Sequence, residues 1–491
     1  MGRLRQAAII LQLENDRLHK RLLAMAGSDA AKLQLEFDRL REQIARQQHA
    51  LFGRSSEKRP EGSESAKPKD PPPAPRTGHG PTTQPKLPIV EVVHTLDEAD
   101  KACPCCGGRL CEMSGQFEEA DEVDVVERSF RIVKRKRQKY RCSCGAIDTA
   151  LGAPKHIVGG RYSLDFAIAV VVAKYLDHMP LARQERQMRR HGLGITTATL
   201  FDQINALAAH LQPTYDALLG RVLESPVIGA DETTWQLMEK HASKKWWAWS
   251  VTCEDAVYYR IAATRKADVA ADLLATYSGV VMCDGYASYP KARKMCIERR
   301  GRDGPPPFTL AHCWSHVRRK FVEAEPNYPS ATTAVEIIRG LYEVEREAAL
   351  WPDPATRLAR IAELREARSR PLTQELRTWM IGQRVLGESG LGRAIGYANG
   401  VWVGLELYLN NPRIPICNNG TERGMRGIAV GRKNHYGSRS VRGTEVAALF
   451  YSMIETAKLA GVDPATYLRT AALRAIATPG TVTLPGDLVE I

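Results

Sequence analysis

The stretch SPVIGADETTW, residues 225–235, begins as an apolar run and reaches two adjacent acids, Asp231 and Glu232. A short apolar run bounded by turn residues predicts a buried β-strand. The stretch SGVVMCDGYASY, residues 278–289, repeats the arrangement with Asp284 as its acid. An acid that follows a buried strand lies at the rim of a sheet on rigid backbone. Asp231 and Asp284 therefore converge if their two strands are neighbours.

The segments around these strands predict a mixed α/β sheet. KKWWAWSVTC (244–253) and AVYYRIAATR (256–265) are rich in strand-forming residues, and ADVAADLLATY (267–277) reads as a helix. PFTLAHCWSHVRRKFVEA (307–324) reads as a strand that runs into a basic amphipathic helix. Three strands, a helix, a strand, and then a further strand and helix are typical of a mixed sheet with helices packed on it.

The two aspartates allow two interpretations. Each could be a turn residue at a strand end, since Asp-Gly, as at Asp284-Gly285, is a common turn dipeptide. Alternatively, two convergent carboxylates repel one another unless a cation lies between them. Hard oxygen ligands in a protein that handles phosphate favour Mg²⁺, with Mn²⁺ as a substitute.

The composition points to a polyanionic partner and to the cytoplasm. The 491-residue chain, long enough for several domains, carries a formal net charge of +13. Each phosphate that a basic protein neutralises releases condensed counterions, although a basic surface that binds nothing is the alternative. The N-terminus lacks the pattern of a signal peptide. The apolar run FAIAVVVAKYL (166–176) is too short to span a membrane and is broken by Lys174.

The N-terminal 58 residues predict a coiled coil. Apolar residues recur there at spacings of four and three, which is the pattern of the a and d positions of a heptad repeat, and one of these positions is polar. The seam residues are Leu11, Asn15, Leu18, Leu22, Met25, Leu33, Phe37, Leu40, Ile44 and Leu51. We expect a homo-oligomer, a dimer through this coiled coil; an amphipathic helix packed on its own protein is the alternative. Residues 59–88 are rich in Pro, Gly, Ser and Lys and predict a disordered linker.

Residues 89–158 predict a zinc-ribbon-like DNA-binding module. A C-x2-C pair followed by two glycines is a strong half of such a site, whereas the second half has C-x-C spacing. The predicted ligands of the structural Zn²⁺ are Cys103, Cys106, Cys142 and Cys144. Because the second spacing is unusual, one ligand could instead be Cys105, Cys111 or none.

Two further segments favour DNA binding. RSFRIVKRKRQKYR (128–141) alternates like a strand and carries a dense basic edge. Such an edge is usually a solvated face, but beside a zinc module in a basic protein it favours contacts to phosphate. The candidate contacts are Lys134, Arg135, Lys136 and Arg137. Residues 159–224 then read as helices, with a glycine-containing turn at 191–194 and a helix capped by Thr196. This arrangement suits a helix-turn-helix, although helical hairpins are common without DNA.

NNGTERGMRGIAVGRKN, residues 418–434, places one carboxylate, Glu422, in a basic cluster. Either this is a solvated helix start in which Glu422 pairs with an arginine, or Glu422 serves a metal beside bound polyphosphate. In the second interpretation Glu422 is the third carboxylate of a two-metal-ion site with Asp231 and Asp284. Asn418 then orients Glu422 or contacts the DNA backbone. The other candidate DNA contacts are Asn419, Arg423, Arg426, Arg432 and Lys433.

HCWSHVRRKF, residues 312–321, contains a further set of polar residues. His312, Cys313 and His316 could suggest another metal site. With one thiol and no partner cluster, we interpret the segment as a helix that lines the site, with His316 able to face the metals and Trp314 in the core. The candidate DNA contacts on this helix are Arg318, Arg319 and Lys320.

Seven short segments of the chain occur together in a known family. In chain order they are LFGRSSEK, CPCCGG, ADET, CDGYASY, HCWSHVRRKF, NNGTERGMRGIAVGRKN and SMIETAKLAGVDPATYL. From about residue 10 to about residue 470, the chain resembles the transposase of the insertion-sequence-66 family of bacterial mobile elements. The last three segments are highly specific as a set.

The resemblance implies a ribonuclease-H-like catalytic core of the Asp-Asp-Glu type, with two Mg²⁺ ions held by Asp231, Asp284 and Glu422. It implies a nucleoid-associated DNA transposase that binds double-stranded DNA at the element ends and in the target. Such an enzyme cleaves strands and transfers them, and accessory proteins of the same element are candidate partners. Two features depart from the family pattern: the C-x-C spacing, and Gly427 where the family more often has proline.

The predicted organisation has seven parts, one of them split by an insertion. They are the coiled coil 1–58, linker 59–88, zinc module 89–158, helix-turn-helix-like region 159–224, core 225–330 and 401–475, helical insertion 331–400 and tail 476–491. Two rival functions remain open. A hydrolytic nuclease of the same fold would stop after cleavage, and a non-catalytic zinc and helix-turn-helix regulator would leave the acids without purpose.

Overall fold

The computed structural model describes most of the chain from residue 129 onwards. The described ranges are 129–141, 143–144, 147–150, 152–239, 245–301 and 304–488, with 40, 42, 91, 93, 95, 97, 101, 104–105 and 107–111 before them. The predicted linker 59–88 and every predicted seam residue except Leu40 lie outside the described residues. The chain divides into two units, residues 52–128 and residues 1–51 together with 129–491.

In the first unit, the backbone N–H of Leu110 donates to the carbonyl of Lys101 at 2.7 Å and closes the loop that holds Cys105. In the second unit, the described residues from 129 onwards include the short strands β1 (Lys139–Arg141) and β2 (Ile147–Thr149), which pair antiparallel. The strand predicted over 128–141 is therefore wrong for residues 129–138, which are irregular. Alternation alone does not make a strand where no partner strand pairs with it.

Three helices follow, within the region 159–224 that the sequence predicts as helical. They are α1 (Leu164–Tyr175), α2 (Leu181–Arg190) and α3 (Thr197–Leu223). The Thr196 hydroxyl accepts a hydrogen bond from the backbone N–H of Thr199 at 3.2 Å, which confirms the predicted N-cap. One face of α3, including Leu200, Ile204 and Leu207, is fully buried in a hydrophobic cluster shared with the sheet and later helices.

The centre of the fold is a five-stranded mixed sheet, which confirms the predicted mixed α/β class. Its strands are β3 (Val227–Gln236), β4 (Lys245–Thr252), β5 (Val257–Ala262), β6 (Val280–Cys283) and β7 (Thr309–His312). The strand order is β5-β4-β3-β6-β7. The pairs β3–β4 and β4–β5 are antiparallel, and the pairs β3–β6 and β6–β7 are parallel.

Strand β3 extends further than predicted. It continues for five residues beyond Asp231, so the prediction that this acid follows the strand is wrong. Its pairing with β6 ends at Gly229, and beyond that point β3 pairs with β4 along one edge. Just after the C-terminal end of β3, the backbone of Leu237 forms an isolated β-bridge with Ser438. Asp231 therefore lies where the parallel half of the sheet ends.

Helices on both faces and a long insertion complete the fold. The helices that follow the central strands are α4 (Ala267–Leu273), α5 (Ser288–Arg300) and α6 (Trp314–Ala324). The insertion helices are α7 (Ala331–Ala348), α8 (Pro354–Leu364), α9 (Arg370–Gly382) and α10 (Gly390–Asn410), with a π-helical turn at Arg365–Ser369. The boundary predicted between residues 400 and 401 falls inside α10, because buried residues on both sides of it belong to one cluster.

Three helices and a short turn close the chain. They are α11 (Asn419–His435), α12 (Val441–Leu459), α13 (Pro464–Ala477) and a 3-10 turn at Pro485–Leu488. Helix α12 covers the edge strand β5, and hydroxyls bond to the strand backbone. Ser452 Oγ accepts from the N–H of Tyr259 at 2.8 Å, and Thr456 Oγ1 accepts from that of Val257 at 3.1 Å. These bonds occupy a sheet edge that would otherwise expose unpaired backbone groups.

One N-terminal residue has a described contact with the insertion. Glu42 is buried, and its carboxylate accepts hydrogen bonds from the backbone N–H of Gly390, at the start of α10, and from Arg393. The predicted seam residue Leu40 is 53% exposed. None of the described helices combines the length and apolarity needed to cross a membrane.

Candidate active site

The two predicted aspartates lie just beyond the parallel pairing of two neighbouring strands, β3 and β6. Gly229 of β3 is in register with Met282 of β6, so Asp231 and Asp284, each two residues further on, occupy matching positions. Neighbouring strands are about 4.8 Å apart. Asp284 directly follows β6, as predicted. The sequence expectation that these strands are neighbours is confirmed.

Side-chain alternation along β3 separates the two adjacent acids. Successive side chains of a strand point to opposite faces of the sheet. Asp231 shares its face with Gly229 and Thr233, both of which contact α11. Glu232 lies on the opposite face, where it contacts α5. The side chain of Asp231 therefore lies on the face of the sheet that α11 covers.

Helix α11 reaches the sheet through a close contact at Gly229. A Cβ atom on Gly229 would lie 1.8 Å from Oγ1 of Thr421, so only glycine allows this approach. The buried Asn418 precedes the helix, and its side-chain amide donates to the carbonyl of Ala230 at 2.9 Å. These contacts place Glu422, in the first turn of α11, next to β3.

Asp231 and Glu422 line one pocket of about 280 Å³. The other residues that line it are Glu232, Thr233, His316, Arg319, Met425, Arg426 and Ala429. Oε1 of Glu422 is buried and has no hydrogen-bond partner among the residues that the structure describes. The pocket therefore combines acidic oxygens with basic side chains at its wall.

Burial and neighbouring acids raise the pKa of Asp231 from 3.8 to about 7. Burial is the largest cause, and the charges of Glu232, Asp284 and Glu422 add to it. A carboxyl group that resists ionisation because of nearby carboxylates is stabilised in its charged form by a cation. Together with the unpaired oxygen of Glu422, this donor set fits a hard divalent cation such as Mg²⁺.

We expect Asp231→Asn to stabilise the magnesium-free protein at pH 8, because it removes a buried charge beside three other acids. The folded-state pKa of Asp231 lies above its ordinary value, so this group lowers stability as the pH rises from about 4 through 7. The melting temperature of the variant should be about 2 °C or more above that of wild type. Mg²⁺ should raise the melting temperature of wild type only.

The control for this measurement is Asp272→Asn, which removes an exposed carboxylate that pairs with Arg299 on the surface. It should leave the magnesium-dependent shift unchanged. A shift of equal size in the Asp231→Asn protein would contradict the metal assignment.

A buried network on the opposite face holds Glu232. Arg265 donates from Nε to Oε1 of Glu232 at 2.8 Å, and the hydroxyl of Tyr289 donates to Oε2 at 2.7 Å. Burial raises the pKa of Glu232, while Tyr289 and Arg265 oppose the rise. The network fixes the strand that carries Asp231, and nothing in the sequence pattern distinguished it beforehand.

The insertion contributes to the site through Tyr397 of α10. The backbone N–H of Gly285 donates to its hydroxyl at 3.1 Å, and a Cβ atom on Gly285 would lie 2.7 Å from its ring. Oδ1 of Asp284 accepts from the N–H of Tyr286 at 2.9 Å. The turn after β6 is thus held by a residue more than a hundred positions away.

Helix α6 lines the pocket opposite α11. Nδ1 of His316 lies 3.9 Å from Oε1 of Glu422. Trp314 is fully buried and donates from its indole to the carbonyl of Leu405 at 3.1 Å, which confirms the predicted core role. The nearby His312 is in register with Cys283 on β6, where burial lowers its pKa. His312 therefore ends strand β7, whereas His316 lies on helix α6.

The predicted DNA contacts near the pocket are exposed or half-buried, and one of them, Arg432, is bonded to the sheet. The exposed residues are Arg319, Asn419, Arg423, Arg426 and Lys433, and the half-buried ones are Arg318 and Lys320. Lys320 pairs with Glu323 at 3.3 Å. Arg432 instead donates to the hydroxyls of Thr233 and Thr234 and to the Thr234 carbonyl, so its predicted role is corrected. It ties α11 to β3, because its position in the helix turns it towards the sheet.

The basic segment before β1 is exposed from Lys134 to Arg137. Nε of Arg137 donates to the carbonyl of Ala150 at 2.6 Å. Of the predicted zinc ligands, Cys103, Cys106 and Cys142 lie outside the described residues, while Cys144 is exposed and forms no disulfide. The alternative ligands Cys105 and Cys111 are likewise exposed and reduced. The zinc ligand set stays a prediction.

Helix α11 is unbroken at Gly427, where the family more often has proline. A Cβ atom on this residue would lie 2.7 Å from Oε1 of Glu455, so glycine allows α12 to pack closely. Among the residues that sequence reasoning missed, Gly229 alone had a signal, since a glycine inside an apolar strand often marks a close approach of backbone. Arg265, Tyr289 and Tyr397 had none.

Comparison with known proteins identifies two matching family models and several relatives. The model described as Transposase IS66 family matches residues 159–446, and the model described as zinc-finger binding domain of transposase IS66 matches residues 100–145. Three relatives are uncharacterized proteins of Sinorhizobium fredii. Protein y4jD is 30% identical over 399 residues, covering 78% of this chain and 76% of the relative. Protein y4qI is 31% identical over 399 residues, covering 77% and 71%, and y4hP is 26% identical over 407 residues, with the same coverage as y4qI.

Proposed function

Since the chain belongs to the IS66 family of transposases, we propose that it is a metal-dependent Asp-Asp-Glu DNA transposase that cleaves and joins strands at the ends of a mobile element. The observation that carries the proposal is the meeting of three acids from distant segments. Asp231 and Asp284 each lie two residues beyond the last register pair of β3 and β6, and Glu422 lines the same pocket as Asp231. A surface ion pair explains none of these placements.

In this proposal Asp231, Asp284 and Glu422 hold two Mg²⁺ ions, or Mn²⁺ in their place. When bound, the metal supplies Lewis-acid activation of the attacking oxygen and stabilises the leaving oxygen. The protein's own contribution is position. Strand β3, the turn after β6 and the first turn of α11 hold the carboxylates on backbone fixed by Asn418 and Tyr397.

The reaction has two steps with no covalent enzyme intermediate. Water attacks a phosphodiester at the element end, and the bond to the 3′ oxygen breaks to leave a 3′-hydroxyl. That hydroxyl then attacks a phosphodiester of the target DNA in line. The bond from that phosphorus to the target's 3′ oxygen breaks, so the element end is joined to the target strand and the target's other piece leaves with a free 3′-hydroxyl. Arg319 and Arg426, which line the pocket, offer positive charge to the phosphate at each step.

The remaining contacts of the proposed complex lie outside the pocket. The zinc-finger domain and the exposed basic residues 134–137 contact DNA, and the chain dimerises through its N-terminal coiled coil. The exposure of the predicted seam residue Leu40 supports that geometry, since the neighbouring Glu42 is buried and binds the insertion while Leu40 stays accessible. A dimer suits a reaction that pairs two element ends.

The test is an assay of the full-length protein with Mg²⁺ and DNA that carries candidate element ends. We expect cleaved ends and products joined to a second DNA. Cleaved ends without joining, under conditions that support end binding, would favour a hydrolytic nuclease. End binding with neither product would favour the non-catalytic regulator.

We expect two arginines of α11 to behave differently when replaced by alanine. Arg426 is exposed at the pocket, so Arg426→Ala should weaken DNA binding and lower the salt dependence by about one charge. Arg432 bonds to β3, so Arg432→Ala should destabilise the fold by about 1–3 kcal/mol instead. Salt-dependent DNA binding and thermal unfolding measure the two effects. Equal salt slopes for wild type and Arg426→Ala would remove Arg426 from the DNA interface.

A further inference from the structure

The first turns of α6 and α11 bring together a second group of metal-ligating atoms. The thiol of Cys313, a ring nitrogen of His316 and a carboxylate oxygen of Glu422 all lie within 4.8 Å of one another. Cys313 caps the start of α6, and His316 follows one turn later. Sulfur, imidazole nitrogen and carboxylate oxygen are the three ligand types that zinc takes in proteins.

Two of these ligands have atoms that the fold leaves without partners. Nδ1 of His316 and Oε1 of Glu422 are buried, and neither has a hydrogen-bond partner among the described residues. The two atoms lie 3.9 Å apart, which is slightly more than the separation of two ligand atoms bound to one zinc ion. A buried polar atom without a partner is costly, and a shared cation would satisfy both.

The backbone around Cys313 prepares its sulfur to act as a ligand. The N–H of Asn418 donates to the sulfur at 3.2 Å, and Oγ of Ser315 lies 3.0 Å from it. These contacts fix the position of the sulfur at the start of α6.

We propose that Cys313, His316 and Glu422 form an inhibitory site for a soft divalent cation, Zn²⁺, which captures Glu422 and so takes it from the magnesium site. Thiolate and imidazole select Zn²⁺ over Mg²⁺, which prefers oxygen ligands alone. Three protein ligands leave the fourth position of a tetrahedral zinc open to solvent. His316 and Glu422 line the pocket shared with Asp231, which gives the ion a route to the site.

The inhibitory effect rests on the proposed transposase function, whereas zinc binding does not. The first measurement is therefore the zinc content of the full-length protein after equilibration with Zn²⁺ and removal of excess metal. Wild type should hold one more zinc ion per chain than Cys313→Ser or His316→Asn. The control Cys296→Ser, in a buried cysteine of α5 that bonds only to backbone carbonyls of α4 and its C-terminus, should match wild type.

Cobalt substitution gives a spectroscopic form of the same test. Co²⁺ bound at the site should add a thiolate-to-metal absorption band to wild type and to Cys296→Ser, and the band should be missing from Cys313→Ser. Equal metal content and equal spectra for wild type and Cys313→Ser would overturn the proposal. Circular dichroism shows whether each variant is folded, and His316→Asn serves if Cys313→Ser is not.

The second measurement is strand cleavage in Mg²⁺ at increasing Zn²⁺. Half-inhibition of wild type should need at least about tenfold less Zn²⁺ than half-inhibition of His316→Asn, since even residues behind a metal ligand contribute that much to affinity. If wild type binds the extra zinc but cleaves no DNA, the proposed function fails while the site stands. If wild type cleaves DNA with equal zinc sensitivity in all variants, the inhibitory role fails and the proposed function stands.

Discussion

Asp231→Asn, Asp284→Asn and Glu422→Gln are each expected to reduce strand joining by about a thousandfold or more. When catalytic residues act together, removing any one of them loses most of the rate enhancement that the whole set provides. The triple variant should therefore be little worse than any single one. All four proteins should still bind DNA carrying the element ends, since the basic surface is unchanged. Gel separation of cleaved and joined DNA measures the two reaction steps, and a binding assay measures the affinity of each variant for the element ends.

The matched control is again Asp272→Asn, an acid of the same domain that lies on the surface away from the pocket. It should join strands as wild type does. Wild-type joining by all three triad variants would contradict the assignment. Loss in only one or two of them would show that the third acid has another role.

We expect Gly229→Ala to reduce strand joining by about a hundredfold, although Gly229 has no role in the chemistry itself. A displacement of a catalytic residue by about 1 Å reduces the rate by that much. Its new Cβ would lie 1.8 Å from Oγ1 of Thr421 and 3.0 Å from Oδ1 of Asn418. The start of α11 has to move away from β3, and Glu422 moves with it. Backbone strain is not involved, because Gly229 lies within a regular strand.

A second substitution separates this effect from general damage. Thr421→Ala removes the hydroxyl that clashes, so the double variant Gly229→Ala with Thr421→Ala should recover part of the lost joining. Gly420→Ala is the control on the same helix, because a Cβ there meets nothing within 4 Å. If Gly229→Ala joins strands at the wild-type rate, α11 does not depend on this contact for its position.

Local patterns predicted most of the elements that carry the site. The apolar strand before Asp284, the strand and basic helix around Trp314, and the Thr196 cap all depend on residues within one or two turns of chain. Asp231 was misplaced at a strand end because its strand was taken to stop at the first acids. The residues after Glu232 are Thr, Thr and Trp, which favour strands, so the longer β3 had a signal that the acids obscured.

Sequence by itself determined the mixed α/β class, the helix start at Glu422 and the family resemblance, because periodicity, capping and motif order are properties of short segments. The tertiary structure alone decided that Glu422 returns to Asp231 across the insertion, through the contact of Thr421 with Gly229. It also decided that Arg432 binds the sheet rather than lying on the surface and that Cys313 meets Glu422. These contacts join residues far apart in the chain, and their free energy comes from packing and hydrogen bonds that no local pattern records.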